Sequence, residues 1–244
     1  MPEKNRKYDL TIELLQSYRD AALVNSQSLV EEATLLLTYK HNARAYFLAV
    51  SSIEEAGKVV QAFEGIGRNL RDPAVCQRLK LQFEDHSQKI ASAFSPWLQA
   101  TPNLREQIME FVNMIVSIKF GREASMYTDI NAEHGIVTTP QLQIRPRAAT
   151  DCVRLAGTVL SYVLPYAQQS HPKTTKRLQD AFFALRPAAF QKMANTRDFW
   201  EFYIAEMEAG NIALEAAVTQ YNDRFLSKDK LFKAIAGEDD AGDA

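Results

Sequence analysis

The hydrophobic positions of this chain recur with the period of an α-helix along most of its length. Apolar residues return every three or four positions, and no stretch shows the alternation of apolar and polar residues that is typical of a half-buried strand. The pattern therefore predicts an all-α fold. The predicted helices cover about 8–38, 43–65, 72 to a loop marked by Pro96 and Pro102, 104–133, 148–169, 173–185, 187–194 and 196–225.

The second predicted helix differs from the others because its apolar residues face in nearly every direction. A helix that is apolar all round is normally buried at the centre of a fold. Its middle turn nevertheless carries Glu54, Glu55 and Lys58, spaced so that both carboxylates can reach the one ammonium group. Charged groups on a buried helix are costly unless they are paired, so this turn requires an explanation.

Two further predicted helices also carry charged residues on an apolar face. His86 takes an aliphatic position on the third helix, and Lys89 lies one turn further along its flank. Arg122 and Asp129 continue the apolar face of the fourth helix, whereas Tyr127 points more than a quarter turn away from Arg122. If these three helices pack together, we expect their charged groups to converge in one polar pocket.

Two interpretations of this pocket stay open. A histidine suits proton transfer, arginine and lysine suit the binding of a phosphate, and acids can orient the bases. The same groups could equally form an ion network that only stabilises the bundle. The functional interpretation is favoured because three separate helices show the same feature.

Composition narrows the class of protein. The chain has 244 residues, a hydrophobic content of 46% and a formal net charge of −2, so no overall positive field indicates nucleic-acid binding. The two cysteines fit neither a disulfide nor a metal pattern, and the chain has neither a signal segment nor an apolar run of membrane-spanning length. We therefore expect a cytoplasmic protein without membrane contact.

Motifs for metals and cofactors are also absent from the sequence. None of the four histidines has an acid three residues before it, as a di-iron helical bundle requires. No glycine-rich phosphate loop is present. The expectation is a protein with no metal site and no cofactor.

Roughly residues 20–140 resemble the AbiV family of abortive-infection proteins. The resemblance rests on Asn25–Leu37, on Arg44–Val50 followed by Ile53–Lys58, on Asp85-His86-x-x-Lys89, and on Arg122 with the later Tyr127-Thr128-Asp129. It implies a HEPN-like helical bundle over 8–140. Additional C-terminal helices at 147–227 are expected to pack on this core in one compact unit, before an acidic, partly disordered tail at 228–244.

The resemblance also implies a function in phage defence. HEPN nucleases typically act as homodimers and cut RNA without a metal, through attack of a ribose 2′-hydroxyl on the adjacent phosphate. Carried over to this sequence, the proton-transfer residue is His86, the phosphate-binding residues are Arg122, Lys58 and Lys89, and the positioning residues are Glu54, Glu55 and Asp129. Tyr127 is included as a candidate through its place in the last motif.

One departure separates this chain from the usual nuclease pattern, in which an arginine precedes a histidine by four to six residues. Here the nearest basic residue at that spacing is Lys80, with five residues between it and His86. A lysine cannot present a bidentate fork to a phosphate. The alternative function is a non-catalytic helical protein that senses or sequesters a phage or host component. The expected partners are RNA, a phage or host protein that acts as trigger, and a second copy of the chain.

Overall fold

The computed structural model describes residues 8–101, 104–131, 134–185, 193, 196–210 and 214–226, without the side chains of 104–108, 214 and 226. The helices are α1 Ile12–Thr38, α2 Asn42–Ile66, α3 Pro73–Glu84, α4 His86–Ala100, α5 Leu104–Met126, α6 Pro140–Gln143, α7 Pro146–Ala167, α8 Arg177–Ala184, α9 Arg197–Glu208 and α10 Leu214–Tyr221, which a π-helical turn at Asn222–Leu226 follows. The strands are β1 Asp129–Asn131 and β2 Ile136–Thr138.

The chain forms two compact units. One comprises the described residues of Met1–Leu70 and Leu79–Lys173, and the other comprises those of Arg71–Arg78 and Thr174–Ala244. The predicted division into a core at 8–140 and C-terminal helices at 147–227 stays a prediction. None of the helices formed by the described residues is both long enough and apolar enough to cross a membrane.

Helix α2 lies at the centre of the first unit, as its all-round apolar pattern predicts. It packs against α1, α4, α5 and α7. Ala45, Ala49, Val50 and Ile53 on this helix have no solvent exposure. Because most of α2 is covered, each polar side chain that is buried on this helix requires a partner inside the protein.

The packing of α1 on α2 includes a buried polar contact. The hydroxyl of Ser26 donates to the carbonyl oxygen of Ser52 at 2.9 Å, and the hydroxyl of Ser52 donates to the carbonyl oxygen of Ser26 at 2.8 Å. Asn25 has the helical spacing of the apolar residues on this helix, yet it is exposed, and Ser26 is buried instead. A small hydroxyl fits between close helices where an amide does not.

The third predicted helix is two helices. Its proposed stripe ran through Phe83, His86 and Ile90, but α3 ends at Glu84 and α4 begins at His86. Asp85 caps α4, since its carboxylate accepts a hydrogen bond from the amide of Gln88 at 3.0 Å. The predicted loop at Pro96 is also wrong, because this buried proline lies inside α4.

The fourth predicted helix ends seven residues early, at Met126. Beyond it, β1 and β2 form an antiparallel hairpin in which Ile130 pairs with Val137. The predicted all-α fold class is confirmed, and this short hairpin is the part of the described structure that the helical pattern did not predict. Strands of three residues are too short for an alternating pattern to stand out from a helical one.

The second unit has an aromatic core. Phe199 packs edge-on against Tyr221 at 5.4 Å between ring centroids, and Met193 and Val218 are buried beside them. The single helix predicted over 196–225 is divided into α9 and α10, with Gly210 at a positive φ of 89° after α9. Apart from Met193, the helix predicted at 187–194 falls outside the described residues, and so does the predicted tail at 228–244.

A candidate active site around Glu54

A single carboxylate joins three helices of the first unit. On α2, Glu54 places Oε2 at 2.6 Å from Nδ1 of His86 and at 3.2 Å from Nζ of Lys89, both on α4. Its Oε1 lies 2.8 Å from Nε of Arg122 on α5. The convergence of charged groups expected from the sequence therefore exists for these four residues.

A glycine allows α4 to approach α2 closely enough for these contacts. A Cβ atom on Gly57 would lie only 1.9 Å from the carbonyl oxygen of Lys89. Gly57 lies one helical turn after Glu54, so the point of closest approach is next to the carboxylate. Residue type alone did not reveal this role, although a glycine inside an otherwise apolar helix often marks a close approach.

The start of α4 positions the histidine. Asp85 caps α4 and fixes its first turn. His86 and Lys89 lie three residues apart in this helix and therefore share one side of it. Both can then reach the same oxygen atom of Glu54.

The four side chains differ in their access to solvent. The exposed fraction of the side chain is 7% for Lys89, 9% for Glu54, 23% for Arg122 and 52% for His86. The prediction that His86 takes an aliphatic, buried position was thus wrong, because it stands at the beginning of a helix and at the mouth of the cluster. Glu54 and Lys89 therefore lie at the buried end of the cluster, whereas the imidazole of His86 contacts solvent.

The hydrogen bond to Glu54 favours one tautomer of His86. A carboxylate accepts hydrogen bonds, so the neutral imidazole that fits this contact has its hydrogen on Nδ1, and this N–H donates to Oε2. In that tautomer Nε2 carries the lone pair, and no partner for it occurs among the described residues. A carboxylate that holds one imidazole nitrogen and leaves the other open is the arrangement used to orient a general base.

The cluster carries more positive than negative charge. Lys89 and Arg122 are both cationic at neutral pH, and Glu54 is the one acid that contacts them within the described structure. The N–H of Arg122 is not aligned on Oε1, which leaves this buried oxygen without an aligned hydrogen bond among the described residues. The guanidinium is therefore incompletely satisfied and suited to an additional anionic partner.

Glu55 and Lys58 form a separate pair. Nζ of Lys58 lies 2.5 Å from Oε1 of Glu55, and both side chains are about one-fifth exposed. The expectation that Glu54 would also reach Lys58 is not met in the described structure, because Glu54 is turned toward α4 and α5. Lys58 is consequently a neighbour of the cluster and not one of its ion-paired members.

The remaining candidates lie elsewhere. Asp129 belongs to β1, is exposed, and accepts a hydrogen bond from the amide of Ile130 at 2.7 Å. Tyr127 is also exposed. Neither makes a polar contact with the cluster in the part of the chain that the structure describes, since the helix expected to carry them has already ended.

Lys80 does not replace the arginine that the nuclease pattern places before its histidine. Its ammonium group donates to the carbonyl oxygen of Tyr8 and lies 4.5 Å from the centre of that ring. The guanidinium beside His86 comes instead from Arg122 on α5, and both residues contact Glu54. An arginine and a histidine thus share one carboxylate without the expected spacing in the sequence.

Among the described residues, no group of three or more histidine, cysteine, aspartate or glutamate side chains is arranged to hold a metal ion. Basic groups surround the carboxylate of Glu54.

Comparison with known proteins identifies the family to which the chain belongs. The model of the HEPN family named AbiV matches residues 14–161, more than half of the 244-residue chain and a range that contains all four residues of the cluster. No curated protein and no solved structure matches the chain. The chain belongs to the AbiV family of HEPN proteins, and this membership indicates a role in phage defence by abortive infection.

Proposed function

We propose that this protein is a metal-independent endoribonuclease that acts during abortive infection. The observation that carries the proposal is the contact between Glu54 and Nδ1 of the half-exposed His86, beside an arginine that the same carboxylate only partly satisfies. This arrangement supplies a base with an open nitrogen and a cation for a phosphate in one place.

The proposed reaction uses the 2′-hydroxyl of the substrate as nucleophile. Nε2 of His86 takes the proton of that hydroxyl while the 2′-oxygen bonds to phosphorus. The bond from phosphorus to the 5′-oxygen then breaks, the leaving oxygen takes a proton from water, and the protonated imidazole of His86 returns its proton through solvent to the hydroxide that remains. The products are a 2′,3′-cyclic phosphate and a 5′-hydroxyl end, and Arg122 stabilises the charge that builds up on the phosphoryl oxygens.

A homodimer is part of this proposal. Helix α5 exposes an apolar stripe formed by Met109, Val112, Val116 and Phe120, spaced three, four and four residues apart. Exposed apolar surface of this kind is typical of a protein interface. The homodimer that we propose forms by packing of a second copy on this stripe.

Cleavage of purified RNA tests the proposal. The wild-type protein should cut total cellular RNA in the presence of EDTA, and His86→Ala should lower the rate at least about 100-fold. His134→Ala, which alters an exposed histidine of the hairpin, is the matched control and should cut at the wild-type rate. The melting temperature of His86→Ala should stay close to that of the wild type, because the imidazole is half exposed.

The proposal fails if the wild-type protein leaves RNA intact both alone and with an extract of phage-infected cells. It also fails if His86→Ala cuts as fast as the wild type. RNA with 2′-O-methyl groups throughout should resist cleavage, since its nucleophile is blocked.

The second candidate function is a non-catalytic protein that senses or sequesters a phage or host component. The burial of Glu54 and Lys89 favours it, because an ion pair so far from solvent also serves to hold α2 and α4 together. In that case the stripe on α5 would bind the partner. His86→Ala would then change neither RNA integrity nor protection against phage, whereas Phe120→Asp would abolish protection.

A further inference from the structure

A second recess in the first unit lies away from Glu54. A cleft of about 530 Å³ opens between α2, α4, α5 and α7. This volume lies within the usual range for sites that take a small organic molecule. The cluster residues Glu54, His86, Lys89 and Arg122 do not line it.

The floor of the cleft is largely apolar. Trp97, Met114, Ile118 and Leu155 contribute to it, and the ring of Trp97 stacks on that of Tyr162 at 5.5 Å between centroids. The buried thiol of Cys152 also lines the cleft, and burial raises its pKa to about 12, so this group stays uncharged at neutral pH. A preformed apolar floor favours a ligand with an aromatic or branched aliphatic body.

Among the described residues, the charged side chains that line the cleft are Asp151 and Arg154, and Arg147 lies beside Asp151. Asp151 lies 3.8 Å from Nε of Arg147 and 3.7 Å from Nη1 of Arg154, so two cations share one acid. These exposed contacts are long and contribute little. Arg154 lines the cleft and remains able to pair with an additional carboxylate, sulfonate or phosphate group.

We propose that this cleft is a binding site for a small apolar anion, whose body lies on the floor around Trp97 and whose charged head pairs with Arg154. The two arginines around Asp151 favour an anion over a cation, and the apolar floor favours an organic anion over inorganic phosphate.

Two fluorescent probes of nearly the same shape test this site. 1-Anilinonaphthalene-8-sulfonate carries an anionic head, and N-phenyl-1-naphthylamine lacks it. The sequence has two tryptophans, so Trp200→Phe leaves Trp97 as the one energy donor. In this background, the sulfonate probe should quench Trp97 with a saturable one-site curve.

Four variants in the same background locate the probe. Thr158→Phe places a larger side chain in the cleft. This side chain should clash with both probes and weaken their binding at least about tenfold. Arg154→Gln should weaken the sulfonate probe about fivefold and leave the neutral probe unchanged. Arg197→Gln changes an exposed arginine of the second unit, and Leu14→Phe changes another apolar cleft, so both should bind like the background.

The proposal is overturned if the sulfonate probe does not bind, or if Leu14→Phe abolishes its binding. It is also overturned if Arg154→Gln affects both probes equally or neither of them. Should Thr158→Phe fail to fold, the ratio of the two probe affinities in Arg154→Gln still decides the matter, because Arg154 is exposed.

Discussion

Glu54 and Glu55 are consecutive residues of α2, and they occupy opposite kinds of environment. Glu54 is buried and contacts basic groups from α4 and α5. Glu55 is partly exposed and pairs with Lys58 on its own helix. One step along a helix turns a side chain by about 100°, so adjacent acids can serve unrelated purposes. The packing of neighbouring helices, more than the local sequence motif, therefore determines which of the two acids organises the site.

The first prediction compares the two acids directly. Glu54→Gln should lower the free energy of unfolding by about 3 kcal/mol, because it leaves the buried ammonium of Lys89 uncompensated. Glu55→Gln breaks a partly exposed pair and should cost less than about 1 kcal/mol. Urea denaturation of both variants measures the difference. Equal losses would mean that Glu54 has no special position in the fold.

A second prediction separates α4 from Glu54 without changing a charged residue. Gly57→Ala forces a methyl group against the backbone of Lys89 and should cost about 2 kcal/mol of stability. The control is Gly157→Ala on α7, where an added Cβ has no atom within 4 Å. That change should stabilise the protein by up to about 1 kcal/mol, since alanine favours a helix. Thermal unfolding of the pair distinguishes close approach from the general effect of a helical glycine.

A third prediction concerns Glu64, another acid of α2 with a different environment. Burial raises the pKa of Glu64, although the hydroxyl of Tyr166, which donates to it at 3.0 Å, and the charge of Arg68 oppose the shift. Its stabilising contribution is therefore present at low pH and is lost as the pH rises through the raised pKa. Glu64→Gln keeps an acceptor for Tyr166 and removes the buried charge.

The stability of Glu64→Gln relative to the wild type should consequently increase from pH 4 to pH 8. Urea denaturation at several pH values measures this difference, in which the titration of all other groups cancels. A difference that stays constant or decreases with pH would contradict the direction of the shift.

The sequence predicted the central features of the fold for identifiable reasons. The all-round apolar pattern of α2 indicated its burial, and the charged residues at Glu54, Lys89 and Arg122 indicated a shared polar site. These signals are strong because charges are costly on buried helices.

Other features depended on contacts that a sequence pattern does not contain. The cap at Asp85 divides one apparent helix in two, and only that division explains why His86 is half exposed. Because α5 ends at Met126 and a hairpin follows, Tyr127 and Asp129 do not lie on the helix that was predicted to place them in the site. Which acid meets which base depends on the rotation and spacing of the helices, as Gly57 illustrates.

The central claim is that Glu54 orients His86 so that Nε2 is open and unprotonated. Two-dimensional ¹H–¹⁵N NMR of the imidazole nitrogens at pH 8.5, where a histidine is ordinarily neutral, measures the tautomer directly. The wild-type protein should show His86 with its proton on Nδ1, and Glu54→Gln should lose this preference while Glu55→Gln retains it. A proton on Nε2 in the wild-type protein, or a tautomer that is unchanged in Glu54→Gln, would contradict the proposed orientation of His86 by Glu54.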